Sequence, residues 1–241
     1  MKKDVLISDI HMHVIPSVDD GALSLKMAME MLESAGSQGV GKIICTSHSW
    51  EYAEVRDRYL ERLSGLREEA ESAGMGIKLY TGNEVLCVDW DMDGVLRKLD
   101  SGMLFPLNGT RYVLTELYPD ERYPVAEAIL NRLIRAGWTP VIAHAERCYE
   151  LRMSDFREFA GMGCLIQINA YNLGEEHIPM IRNSARRLLS EQLVSFIGSD
   201  AHRTDRRPPR YREGIEYITQ NCSPEYAERI LYRNAEELLN L

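Results

Sequence analysis

The chain alternates short apolar runs with longer amphipathic stretches, and this alternation constrains the fold more than any other feature. Each apolar run is typical of a buried parallel strand, and each amphipathic stretch is typical of a helix that covers the sheet. The alternation predicts seven βα units. The predicted strands are Val5–Ile10, Lys42–Thr46, Ile77–Thr81, Tyr112–Thr115, Thr139–Ala143, Leu165–Asn169 and Val194–Ile197.

Amphipathic stretches with recognisable helix boundaries separate the predicted strands. Ser24 is a suitable N-cap for the first helix, and Gly36 and Gly39 end it. No linker or composition shift divides the chain, so we expect one domain, residues 1–241. The other predicted helices are Glu51–Ala73, Asp91–Asp100, Tyr123–Gly137, Asp155–Gly161, Ile181–Glu191, Tyr211–Asn221 and Pro224–Leu239.

Histidine and acidic residues recur directly after the predicted strands. In a (β/α) barrel the carboxyl ends of all strands open on one face, so these side chains are expected to meet there. A lone His-x-His pair is more often incidental, and a lone loop carboxylate is usually solvated. The recurrence with the βα period instead favours a metal site. The candidate ligands are His11, His13, His48, Glu84, Glu116, His144, Asp200 and His202.

Asp20 joins this set on weaker grounds, because Asp19-Asp20-Gly21 could simply form a turn. Five imidazoles and four carboxylates are too many ligands for one ion, and they suit two or three ions with shared ligands. Mixed imidazole and carboxylate ligation fits Mn²⁺, Fe²⁺ or Zn²⁺. Three divalent ions bring six positive charges against four carboxylates, so the site is expected to attract a phosphate dianion.

Two arginines lie close in sequence to the candidate ligands. Arg147 stands three residues after His144, and Arg207 follows His202 in a loop that Pro208 and Pro209 stiffen. A planar guanidinium can hold two oxygens of a phosphoryl group at once. Each arginine could equally form a salt bridge with a surface acid. Their position next to the candidate ligands favours phosphate binding.

Composition and motifs exclude several other functions. The net charge of −9 argues against a nucleic-acid partner, and no apolar stretch is long enough to insert into a membrane. The five scattered cysteines indicate reduced thiols, and hence a cytoplasmic protein. None of them has an arginine six residues later, as a cysteine-nucleophile tyrosine phosphatase requires. There is also no phosphate-binding GxxxxGK[ST] loop and no GxGxxG after a strand.

The motifs together resemble the PHP (polymerase and histidinol phosphatase) superfamily. The matching segments run in similar order from the first strand to the last helices. More narrowly, they resemble the manganese-dependent protein-tyrosine phosphatases of bacterial capsule and exopolysaccharide loci, in which the Asp-Asp-Gly and Arg-Pro-Pro elements are the more specific ones. The segments are His11-Met-His13, Val18-Asp-Asp-Gly21, Thr46-Ser-His48, Gly82-Asn-Glu84, Pro140–Arg147, Ser199-Asp-Ala-His202 and Arg207-Pro-Pro209.

This resemblance implies a distorted (β/α)7 TIM-like barrel with a trinuclear metal site at the C-terminal ends of the strands. The implied cofactor is Mn²⁺. The implied substrate is a phosphotyrosine protein, namely the tail of a bacterial tyrosine autokinase that regulates capsule or exopolysaccharide synthesis. Arg147 and Arg207 carry over as phosphate binders. The segment Ser49-Trp50-Glu51-Tyr52 is less basic than in such relatives, which bears on peptide recognition.

The expected reaction is in-line attack on phosphorus by a hydroxide that bridges the metals. A phenolate leaves readily, because the reference pKa of tyrosine is about 10, and a general acid is therefore less necessary. Asp205 and a metal-bound water are both candidates for such an acid.

The alternative function is a small-molecule phosphomonoesterase such as histidinol-phosphate phosphatase. A non-catalytic module would have lost several ligands. The sequence assigns neither an oligomeric state nor a role for His177.

Overall fold

The computed structural model describes residues 7–49, 53–174 and 178–241. The start of the first predicted strand, the start of the Glu51–Ala73 helix and His177 lie outside the described residues. The strands are β1 Ile7–Met12, β2 Val40–His48, β3 Lys78–Leu86, β4 Tyr112–Glu116, β5 Thr139–Ile142, β6 Leu165–Asn169 and β7 Phe196–Gly198.

The seven strands are parallel and lie in sequential order from β1 to β7. Just beyond β7 the ring is closed onto β1 by backbone hydrogen bonds. Asp200 N donates to His11 O at 2.7 Å, and His13 N donates to Ala201 O at 2.9 Å. The predicted TIM-like barrel is therefore confirmed, with its closure located at the end that carries the candidate ligands.

Helices cover the outside of the barrel, and most of them agree with the predicted ones to within two residues. The predicted helix Pro224–Leu239 is confirmed in its bounds, and it contains a π-helical turn, Arg229–Arg233, that the sequence pattern does not predict. The helices are α1 Leu25–Ser37, α2 Ala53–Ser72, α3 Met92–Asp100, α4 Tyr123–Arg135, α5 Met153–Gly161, α6 Pro179–Ser190, α7 Arg212–Asn221, α8 Pro224–Glu228 and α9 Asn234–Leu239.

The third strand is longer than its apolar run. We expected Glu84 just beyond this strand, but β3 continues to Leu86 and Glu84 pairs with His48 of β2 in the parallel ladder. Backbone hydrogen bonding therefore extends past the apolar residues that mark the strand in the sequence. A side chain on a paired strand is held more firmly than one on a loop, which suits a ligand.

The two ends of the barrel interior differ in chemistry. A small apolar cluster fills the amino-terminal half, with side chains such as Ile10, Ile44, Leu114 and Phe196 from the strands. Leu239 of α9 belongs to the same cluster and closes that end. A second, larger core lies between the sheet and the helices. Within the described residues, the carboxyl end is therefore the end of the interior that can accept polar side chains.

A bulge in β1 turns two successive residues inward. Asp9 pairs with Ile43, and Met12 pairs with Cys45. Between these two pairs β1 contains one more residue than β2, which defines a β-bulge. Ile10 accordingly packs in the interior apolar cluster and the His11 ring faces Glu84, while Met12 packs in the outer core. The bulge re-aims the His-x-His pair into the mouth of the barrel.

Among the residues that the structure describes, no helix combines the length and the apolar character needed to cross a bilayer.

Candidate metal centre

Eight of the nine candidate ligands form three groups at the carboxyl end of the barrel, and within each group the ligand atoms lie within 4.8 Å of one another. Each pair of groups shares one residue: His13, Glu84 or His48. The groups are therefore adjacent, as a site for several ions with common ligands requires. They are His11, His13, Glu84 and Asp200; His13, Asp20, His48 and His202; and His48, Glu84 and Glu116.

The ninth candidate, His144, lies beside the third group. Its Nε2 is 2.8 Å from Glu84 Oε1 and 3.9 Å from Glu116 Oε1. His144 follows β5 and has a φ of 31°, in the left-handed region that a non-glycine residue rarely adopts. Asp200, after β7, has a φ of 52°. Strained backbone of this kind concentrates at functional sites, because the surrounding structure must hold it in place.

The centre of the cluster is tightly packed with ligand atoms. His11 Nε2 and His13 Nε2 are 3.2 Å apart, and Glu84 Oε2 lies 3.3 Å and 3.1 Å from them. Asp200 Oδ1 is 3.5 Å from His11 Nε2 and 3.6 Å from His13 Nε2. Ring nitrogens and carboxylate oxygens thus point at common spaces, the donor set that divalent transition metals prefer.

One buried ring nitrogen supports metal binding. Among the described residues, His202 Nε2 is buried without a hydrogen-bond partner, and Asp20 Oδ1, an oxygen of another candidate ligand, lies 3.4 Å from it. A buried polar atom without a partner is costly, and coordination by a metal would satisfy it. Burial, and next the charge of His13, lower the pKa of His202 to about 2. The ring is therefore neutral near pH 7, the form that binds metals.

The carboxylates in the cluster are held in different protonation states. Burial would raise the pKa of Glu84, but the charge of His11 and hydrogen bonds from the surrounding histidines hold that pKa well below its usual range. Burial, and next the charge of Glu84, raise the pKa of Glu116 to about 7. Glu84 is therefore an ionised ligand at the centre, and Glu116 is the carboxylate that a metal would have to deprotonate.

Asp19 contacts a candidate ligand, although its sequence context indicated only a turn. Its Oδ2 lies 2.7 Å from His13 Nδ1 and accepts a hydrogen bond from the backbone N–H of His48 at 2.9 Å. Its Oδ1 accepts one from Gly21 N. Burial would raise the pKa of Asp19, but the charge of His13 and the hydrogen bonds from His13, His48 and Gly21 together hold that pKa below its usual range. Carboxylates that orient a histidine in this way are common around bound metals.

Gln167 and Asn169, which both point inward from β6, also contact candidate ligands, and these contacts were not predicted from the sequence. Gln167 Oε1 lies 3.1 Å from His11 Nδ1 and accepts from His144 N at 2.8 Å, so one amide positions two candidate ligands. Asn169 Nδ2 donates to Asp200 Oδ2 at 3.2 Å. The signal available in the sequence was their alternation within an otherwise apolar strand, where polar side chains must face a polar space.

Asp9 is fully buried and connects the two strands that close the barrel. Its carboxylate accepts hydrogen bonds from Ser199 Oγ at 2.6 Å, from Tyr211 OH at 2.5 Å and from His11 N at 2.9 Å. Burial raises the pKa of Asp9, against the lowering effect of these hydrogen bonds. Asp9 therefore holds the backbone of the β1 ligands and of the Ser199-Asp200 segment in one arrangement.

Two glycines leave room for the ligands. A Cβ on Gly198 would lie 2.7 Å from His11 Cβ and 2.8 Å from Gln167 Nε2. A Cβ on Gly21 would lie 2.2 Å from His13 O. These distances are too short for any side chain, so the glycine of the Asp-Asp-Gly element is required by the close approach of the His13 backbone.

The two arginines converge on Asp200. Arg147 Nη1 is 2.7 Å from Asp200 Oδ2, and Arg207 Nη1 is 3.6 Å from the same oxygen. Arg147 also donates to Tyr171 OH, and Arg207 Nη2 is 3.5 Å from Asp20 Oδ2. Both guanidinium groups thus border the ligand cluster. Asp205 is exposed, and within the described part of the chain no hydrogen bond or ion pair connects it to the cluster.

Comparison with known proteins places the chain in a family. The family model described as "Capsular polysaccharide synthesis, CpsB/CapC" matches residues 7–240. Tyrosine-protein phosphatase CpsB of Streptococcus agalactiae serotype III is 30% identical over 240 residues, covering 96% of this chain and 97% of the relative. Tyrosine-protein phosphatase YwqE of Bacillus subtilis is 29% identical over 236 residues, covering 96% and 91%.

Solved structures agree with this relationship. One described as YwqE from Bacillus subtilis and CpsB from Streptococcus pneumoniae, "unique metal-dependent tyrosine phosphatases", superimposes with a TM-score of 0.85 at 29% identity. It covers 97% of this chain and 94% of that chain. The phosphotriesterase homology protein of Escherichia coli (TM-score 0.59, 10% identity, covering 97% and 98%) shares the fold alone. The resemblance deduced from the motifs is confirmed, and the chain belongs to the CpsB/CapC family of capsular polysaccharide synthesis.

Proposed function

We propose that this protein is a metal-dependent protein-tyrosine phosphatase that hydrolyses phosphotyrosine in a protein substrate. The observation that carries the proposal is the cluster of nine imidazole and carboxylate side chains at the barrel mouth, with two guanidinium groups at its border. Relatives that match nearly the whole chain bear the name tyrosine-protein phosphatase. The single-domain organisation of residues 1–241 belongs to the same proposal.

The proposed cofactor is Mn²⁺, with Fe²⁺ or Zn²⁺ as the other ions that this mixed donor set suits. The ligands would be the eight residues of the three adjoining groups together with His144. When bound, the ions lower the pKa of water and polarise the phosphoryl oxygens.

The two arginines give the site its selectivity for a phosphoryl group. As charge gathers on the phosphoryl oxygens in the transition state, preorganised guanidinium groups neutralise it. The Arg147 side chain is only 22% exposed and is held by Asp200 and by Tyr171 OH. Its position is therefore set before substrate binds. Arg207 is 36% exposed and lies on a loop, so it can adjust to the ester.

The leaving group favours a tyrosine ester. A phenolate with a pKa of about 10 departs more easily than a serine alkoxide, so the site can act without a strong general acid. Asp205 is the protein residue proposed for this role if an acid is used.

The proposed substrate is the phosphorylated tail of a tyrosine autokinase in capsule or exopolysaccharide synthesis, and the proposed compartment is the cytoplasm. The five free cysteines agree with a reducing compartment.

The test begins with metal-depleted protein and p-nitrophenyl phosphate. Turnover should vanish on depletion and return with Mn²⁺, and full activity in strong chelator would refute the metal-dependent mechanism. A second assay compares a phosphotyrosine peptide with histidinol phosphate. A higher kcat/KM for the peptide supports the proposal, whereas the reverse order would assign the chain to the small-molecule phosphomonoesterases.

A further inference from the structure

Exposed apolar side chains are concentrated at one end of the barrel. Of the eight large hydrophobic residues that are exposed in the described part of the chain, seven lie in the connections from a strand to the next helix or in the first turn of that helix. Only Met103, between α3 and β4, lies at the opposite end. The seven are Leu23, Leu25, Trp90, Tyr118, Tyr149, Ile178 and Met180; we call them the apolar rim.

The most exposed member of the rim is Trp90, which is 78% accessible and stacks on Tyr118. The two ring centroids are 6.4 Å apart, and the ring planes differ by 24°. Tyr118 is two residues from the candidate ligand Glu116, so its Cα lies within about 7.6 Å of that residue. The loop that carries Trp90 starts at Cys87, whose N–H donates to Glu116 O at 2.9 Å. The aromatic pair therefore borders the metal centre.

Other rim residues are equally close in sequence to the site. Leu23 follows Asp20 by three residues, and Tyr149 follows Arg147 by two. A phosphate ester that reaches the cluster must enter between these loops. A small ester would be held by the ions and the arginines, and would leave the rim in water. An extended chain carrying the ester would cover it.

We propose that the apolar rim, with the Trp90–Tyr118 pair as its main contact, docks a phosphotyrosyl polypeptide that has aromatic or aliphatic side chains beside the phosphotyrosine. This inference rests on the proposed function, because it requires a polypeptide substrate. Burial of exposed apolar surface drives such docking, and offset aromatic contacts add to it. The rim thus selects among phosphotyrosine sequences after the metal centre has selected the phosphate.

The test measures kcat/KM for two phosphotyrosine peptides of equal charge, one with Phe and Leu beside the phosphotyrosine and one with Gly and Ser. The wild-type protein should prefer the apolar peptide by roughly 5- to 10-fold, the range expected for one or two aromatic contacts. In the Trp90→Ala protein this ratio should fall to within about 2-fold of unity. Trp90→Phe should keep most of the preference, and Met103→Ala, at the other end of the barrel, should keep all of it.

Three outcomes overturn the docking proposal. They are equal rates for both peptides in the wild type, an unchanged ratio in Trp90→Ala, or a dimer of the wild type that Trp90→Ala converts to a monomer in light scattering. The last result would assign the rim to a second copy of the chain. Failure of the proposed function looks different, because neither peptide would then be hydrolysed although another phosphate ester is.

Discussion

Asp19 and His13 form a hydrogen-bonded pair in which the carboxylate Oδ2 lies 2.7 Å from the ring Nδ1. This contact fixes the ring so that its Nε2 faces Glu84 Oε2 at 3.1 Å. Because His13 belongs to two of the three ligand groups, the carboxylate that orients it affects two proposed ions at once.

Replacement of that carboxylate, Asp19→Asn, should weaken metal binding by roughly 10- to 100-fold, as is usual for a partner of a ligating histidine. Titration of metal-free protein with Mn²⁺ measures the affinity directly, and excess Mn²⁺ should restore most of the activity. Asp120→Asn, on an exposed loop, is the matched control. An unchanged Mn²⁺ affinity in Asp19→Asn would remove Asp19 from the site.

Gly198→Ala should damage the site through steric overlap, because the new Cβ would lie 2.7 Å from His11 Cβ and 2.8 Å from the Gln167 amide. We expect a loss of roughly 1–3 kcal/mol in the free energy of unfolding, together with weaker metal binding. Gly65→Ala in α2 has no atom within 4 Å of the added Cβ, so it should stabilise the protein by up to about 1 kcal/mol. Denaturant unfolding of the two variants gives both values, and similar stabilities would contradict the proposed overlap.

Tyr211→Phe removes one of the hydroxyl donors to the buried Asp9 carboxylate without changing the shape of the ring. A hydrogen bond to a charged group contributes roughly 1.5–3 kcal/mol, and the variant should lose about that much unfolding free energy. Tyr217→Phe in α7, the helix that begins directly after Tyr211, is the control, and its stability should stay within about 0.5 kcal/mol of the wild type. Equal stabilities of the two variants would show that Asp9 does not depend on this donor.

Glu116→Gln should alter the pH dependence of stability in the metal-free protein. Burial and the charge of Glu84 raise the pKa of Glu116 from 4.5 to about 7. Between these values the folded state binds more protons than the unfolded state, so this carboxyl destabilises the fold progressively as the pH rises. The variant should therefore match the wild type near pH 5 and become relatively more stable by pH 8. Thermal unfolding at both pH values in chelator provides the measurement; a difference that shrinks with rising pH would contradict the assignment.

The barrel and the candidate ligands could be predicted because both follow from a periodic pattern. His48, Glu116 and Asp200 were recognisable since each stands where an apolar run ends, and parallel strands bring such positions together. Asp19 and Gln167 were not recognised, because a carboxylate in a turn and an amide in a strand have no spacing that reveals their partners. Their roles depend on contacts with His13 and His11 that only the folded chain creates.

The predicted end of the third strand was wrong for a similar reason. Glu84 lies within β3 because its neighbour β2 extends to His48, and pairing between strands is a property of the assembled sheet. The bulge in β1 likewise could not be predicted from the sequence Asp9-Ile10-His11-Met12, although it determines which side chains face inward. Pairing between strands in the folded sheet therefore determined the strand boundary and the bulge, neither of which follows from hydrophobic periodicity.

The closure of the barrel at the metal centre has a consequence for how the protein is made. Asp9 and Ser199 are 190 positions apart, yet their hydrogen bond helps to join the first and last strands beside the ligands. Contacts of such long sequence separation form late and slowly. On a growing chain the earliest histidines emerge long before Asp200 and His202, so the complete set of ligands cannot assemble until synthesis is nearly finished. Metal loading should therefore be among the last events of maturation, and a chain truncated before β7 should bind metal poorly even where its helices form.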